Sequence, residues 1–87
     1  MKAVITVIGE DKVGILAKVS TTCAKVSANV IEVTQSVLQE YFTMVMLIDI
    51  EKMTVDIKKL QENLEADVDG MVIHVMHEDI FNSMHRI

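Results

Sequence analysis

The sequence predicts an α+β sandwich of element order βαββαβ, followed by a short C-terminal helix or docked tail. Three observations predict it. Two runs, 3–8 and 41–50, are apolar on both faces, as strands in the interior of a sheet are. Two segments, 15–26 and 55–67, carry apolar residues at helical spacing. The three glycines, Gly9, Gly14 and Gly70, all fall at joins between these segments.

The first strand, β1, is Ala3-Val4-Ile5-Thr6-Val7-Ile8. Helix α1 follows from Ile15 to Val26, with Ile15, Leu16, Val19, Cys23 and Val26 on one side and Lys18 and Lys25 on the other. Ser27-Ala28-Asn29 ends it, since Asn tolerates the left-handed backbone of a helix C-terminus. Strand β2, 30–38, is half exposed: Ile31, Val33 and Val37 share one face, and Glu32, Thr34 and Ser36 the other. Gln35 interrupts the apolar face and marks a bulge or a site. Strand β3, 41–50, is reached through Gln39-Glu40. That pair has no Gly or Asn, so a two-residue turn is strained and a longer loop is expected. Thr54 is a candidate cap for helix α2, about 55–67, with Asp56 in its first turn. Ile57, Leu60 and Leu64 form its buried stripe, and Gly70 stops it. Strand β4 is 71–77. The tail, 78–87, places Ile80, Phe81, Met84 and Ile87 at helical spacing.

Right-handed crossovers then give a ferredoxin-like layout: an antiparallel sheet of order 4-1-3-2 with both helices on one face. The two runs apolar on both sides become the central strands. Val4 and Ile8 on β1, and one face of β3, then need cover that α1 and α2 do not supply. Either the tail or a second subunit is expected there.

With 87 residues, the chain is one domain, 1–87, with a core at 1–77 and an amphipathic tail at 78–87. A chain this short buries only about 60–65% of its unfolded surface and gains from oligomerising. Half of it is hydrophobic (51%), with seven Met and no Trp, so methionine takes part of the core role. The net charge is −5 and Arg86 is the only arginine, which argues against nucleic acid as a partner. A lone cysteine, Cys23, permits no intrachain disulfide and fits a reducing compartment. No targeting or membrane-spanning segment is read, so a cytoplasmic location with no membrane partner is expected.

The stretch Gly9 to Ser20 carries the strongest functional signal. It joins a strand to a helix through a glycine loop. The first turn of that helix offers unpaired N–H groups and the positive end of a helix dipole, which suit a carboxylate. Other chemistries that this layout hosts lack their residues. The loop has no arginine for phosphate, no paired thiols for a metal, and β1 has no aromatic for stacking bases. Cys23 lies on the buried stripe of α1. His74 and His77, three apart on a strand, face opposite ways. No nucleophile with a base is present, so no enzyme activity and no cofactor are expected.

With these elements placed, Asp11-Lys12-Val13-Gly14-Ile15-Leu16-Ala17-Lys18-Val19 and Asn29-Val30-Ile31 resemble the ACT domain family over nearly the whole chain. The similarity is to small stand-alone ACT proteins of bacteria and archaea, whose ends resemble 39–44 and 77–87 here. The loop also resembles the ACT portions of glycine cleavage repressors and formyltetrahydrofolate deformylase. The resemblance implies a regulatory module that binds an amino acid or similar small ligand at a homodimer interface. It implies a site shared between Asp11, Gly14, Ile15 and Leu16 of one subunit and Asn29, Val30 and Ile31 of another. Without an attached catalytic domain, such a module acts in trans on an enzyme or regulator, or through its own oligomer. A protein-interaction module without a small ligand is the alternative. A metal protein using His77, Glu78 and His85 stands behind both.

Overall fold

Lys2 to Glu10 is a strand because Ala3, Ile5 and Val7 bury completely against the helices while Val4 is buried on the other side. The computed structural model describes residues 1–84. Its elements are β1 (Lys2–Glu10), α1 (Ile15–Lys25), β2 (Asn29–Leu38), β3 (Tyr41–Asp49), α2 (Ile57–Asp67), β4 (Met71–His77) and α3 (Glu78–Met84). The four strands form one sheet in the order β2-β3-β1-β4, the predicted order read from the other edge. All three pairings are antiparallel.

The core lies between α1, α2 and one face of the sheet. Val19, Cys23, Leu60 and Leu64 from the helices meet Ile5, Val7, Met44, Met46, Ile48 and Ile73 from the strands. Each of the five long core residues Ile5, Met44, Met46, Ile48 and Leu60 is fully buried; burying one such side chain is worth about 1.5–3 kcal/mol. The Thr22 hydroxyl donates to an Asp67 carboxylate oxygen at 2.7 Å and so ties the far ends of α1 and α2 together.

Four local expectations are corrected. First, α1 ends through Ser27, which takes the left-handed conformation at φ 60°, and Asn29 already opens β2. Asn29 pairs with Asp49 across the ladder, which fixes it as strand. Second, Asp56, not Thr54, caps α2: its carboxylate accepts the Lys59 N–H at 2.8 Å. Thr54 instead donates its N–H to the Val26 carbonyl at 2.9 Å, fastening the end of α1. Third, the bulge of β2 lies at Ile31, where the register skips from Val30 to Glu32, and not at Gln35. This moves Ile31 off the core face, which is held by Val30 and Val33. Fourth, Gln39-Glu40 is a two-residue turn after all, with Leu38 opposite Tyr41. Gln39 takes the strain at φ 57°. Long pairing on either side over-determines the turn despite its unfavourable residues.

The second face of the sheet is covered in part by the chain itself. Helix α3 folds back over it, and Val4 is only 4% exposed. The cover stops there. Ile8 remains 47% exposed, and Val72, its neighbour on β4, 59%.

Candidate functional site

The join between β1 and α1 is built around Gly14, which occupies the N-cap position at φ 84° and ψ 12°. Only glycine takes this conformation without cost. No side chain caps α1, and an added Cβ at Gly14 would meet no atom within 4 Å. The space a Gly14 side chain would fill is open, and no side chain of the described residues bonds the first turn. Beside them Val13 is 99% exposed. The carbonyl of Gly14 accepts the Lys18 N–H at 3.0 Å and starts the helix. Ile15 is buried and anchors the turn to the core, with Leu16 packed partly against it.

The loop is held from two sides. The Asp11 N–H donates to the Glu40 carbonyl at 2.8 Å, and the Asp11 side chain is exposed, with no hydrogen bond or ion pair among the described residues. The Lys12 ammonium lies across Gly70, close enough that a Cβ there would stand 2.8 Å from Nζ. Neither contact was legible in the sequence, because both link segments far apart in it.

The second group of candidates lies elsewhere. Asn29 and Ile31 are exposed and Val30 is half-buried. Lys2, Asp49 and Asn29 align at one end of the sheet, while Glu10, Tyr41 and Leu38 align at the other. The β1–α1 loop leaves from the second end. Eight steps of strand at about 3.4 Å each separate the two groups by roughly 27 Å. One chain does not bring them together.

The remaining candidate chemistry is accounted for. Burial pushes the Cys23 thiol up to about 11, which suppresses the reactive thiolate. His74 pairs with Thr6 and His77 with Ala3, so the two do face opposite sides of the sheet. His77 Nδ1 accepts the Asp79 N–H at 3.2 Å and lies 3.5 Å from the Asp79 carboxylate. His85 lies outside the described residues. Among the described residues, no group of three or more His, Cys, Asp or Glu is placed to hold a metal. No described helix is long and apolar enough to cross a membrane.

A feature absent from the sequence reading is a cleft of about 250 Å³ between α3 and the second face of the sheet. Val4, Val45 and Leu47 form its floor, Phe81 and Asn82 its roof, and Glu32, Thr34 and Glu78 its polar walls. The amphipathic tail was the available signal, but its side of the sheet depends on how it turns after His77.

The fold and the loop are matched together by one family profile: the ACT domain profile fits residues 2–77. The chain belongs to the ACT domain family. Relatives that match over nearly their whole length come from both bacteria and archaea. A UPF0237 protein of Clostridium acetobutylicum is 45% identical over 89 residues, spanning 100% of both chains. One from Methanococcus maripaludis is 45% identical over 87 residues, spanning 97% of this chain and 96% of the relative. Among solved structures, an ACT domain protein from Streptococcus pneumoniae superposes with a TM-score of 0.79 at 37% identity, covering 98% of each chain. ACT domains are typically regulatory modules for small ligands.

Proposed function

We propose that this ACT domain is a non-catalytic sensor of an amino acid or similar small carboxylate, held between two copies of the chain. The observation that carries this reading is the uncapped start of α1. Gly14 keeps side-chain bulk away from the first-turn N–H groups, and Val13 stands fully exposed beside them. These N–H groups and the helix dipole favour a carboxylate. Asp11, its side chain free of the loop's own bonding, is placed to take the ligand's ammonium. Asn29, Val30 and Ile31 complete the site from the neighbouring copy, since they lie at the far end of the same sheet. The uncovered surface around Ile8 and Val72 supports pairing of copies.

Thermal unfolding in the presence of each of the twenty amino acids tests it. At a hundred times its Kd, a ligand adds about 2.7 kcal/mol of stability. The stabilisation is expected to vanish in Asp11→Ala, whose backbone bond to Glu40 is retained. No stabilisation by any amino acid would sink the reading.

A further inference from the structure

We propose that the cleft beneath α3 is a second ligand site, for a small aliphatic amine in its cationic form. It is distinct from the loop site in place and in charge. The floor follows one row across the central strands: Leu47 of β3 stands opposite Val4 of β1, and Glu32 of β2 stands opposite Leu47 at the edge of that row. Val45, from the next row of this face, extends that floor. The floor is therefore aliphatic and suits a short hydrocarbon chain.

The walls set the charge. Glu32 approaches from the β2 edge and Glu78 from the first turn of α3, which starts at the opposite side, after β4. The β2 and β4 backbones stand about 14 Å apart, three strand spacings, so the two carboxylates reach in from opposite sides of the floor. Neither forms an ion pair among the described residues. No Lys or Arg is among the described residues lining the cleft, so no cationic side chain there draws an anion. Thr34 and Asn82 add neutral hydrogen-bonding groups at the rim. Glu78 has a second role, since acids in the first turn favour the helix. Glu32, on a strand, has no such role; it stands opposite Leu47 and lines the cleft.

The volume, about 250 Å³, lies just below the usual range for drug-sized ligands and limits the occupant to a small molecule. An ammonium between such carboxylates gains charge-assisted hydrogen bonds, while the chain buries apolar surface on Val4, Val45 and Leu47. This differs from amino-acid recognition at α1, where the helix start attracts the carboxylate.

Titration with n-butylammonium chloride, followed by the methyl signals of the full chain in solution NMR, tests the proposal, with sodium butyrate as the control. Saturable shifts of the Val4, Val45 and Leu47 methyls are expected with the amine and not with butyrate. Glu32→Gln should raise the Kd about tenfold, the cost of one charge-assisted hydrogen bond. Glu78→Gln should weaken binding too. Because it also bears on α3, the Glu32 variant decides. Asp11→Ala should leave amine binding unchanged, which separates this site from the loop site. Equal shifts with butyrate, no methyl shifts with the amine, or an unchanged Kd in Glu32→Gln would each overturn the proposal.

Discussion

The backbone N–H of Asp11 donates to the carbonyl of Glu40 at 2.8 Å, so the candidate ligand loop is fastened to the tip of the β2–β3 hairpin. This bond makes the geometry of the loop depend on that of the turn. The turn is strained: Gln39 adopts φ 57°, a left-handed conformation that costs a residue with a side chain about 1–2 kcal/mol.

Gln39→Gly should therefore stabilise the protein. Removing the strain outweighs the extra freedom that glycine gives the unfolded chain, for a net gain of about 0.5–1 kcal/mol. In a domain of this size that raises Tm by a few degrees. Calorimetry of the two proteins checks it. A fall in Tm would show that the native pairing, not backbone strain, sets the energy of the turn.

Gly14→Ala and Gly70→Ala make a matched pair. Both glycines have positive φ, 84° and 77°, but only Gly70 has a neighbour in the way, the Lys12 ammonium. That group ends a flexible side chain and moves aside cheaply. Backbone strain then dominates, and each substitution should cost about 1–2 kcal/mol by urea unfolding. A much larger loss at Gly70 would mean that the Lys12 contact is held in place.

Cys23 governs an alkaline transition. Burial raises its thiol from 9.0 to about 11, so the folded state holds this proton more tightly than the unfolded chain does. Its contribution is complete below pH 9 and is lost as pH rises through about 11. Roughly 2–3 kcal/mol of stability should disappear across that window, since each pKa unit is worth about 1.4 kcal/mol. Cys23→Ala, less stable by a constant amount for its small cavity, should lack this part of the slope. Parallel pH profiles for the two proteins would refute the assignment. Iodoacetamide should also leave Cys23 unmodified until the protein unfolds.

The order of elements and the strand order were legible because the hydrophobic pattern sets both. Runs apolar on both faces, 3–8 and 41–50, become central strands, and a half-polar run, 30–38, becomes an edge. What the pattern missed were residues whose roles are set by partners distant in sequence. Thr54 looks like a cap, yet the Val26 carbonyl claims it and leaves the cap to Asp56. Gln39-Glu40 looks unfit for a tight turn, yet the pairing of Leu38 with Tyr41 imposes one. At the candidate site, Gly14 was legible from its place before an amphipathic helix. The ties of Asp11 to Glu40 and of Lys12 to Gly70 were not, since each spans much of the chain.

The distance between Gly14 and Asn29 along the sheet has a consequence for dosage. A site assembled from the loop of one copy and the β2 start of another exists only in proportion to paired chains. Its apparent affinity then falls on dilution, even at fixed ligand. Ligand and partner copy stabilise each other, so the same molecule would report on a metabolite and on its own abundance. In a twofold pair the two sites are equal, and mixing Asp11→Ala chains with Asn29→Ala chains would leave one intact site in each mixed pair.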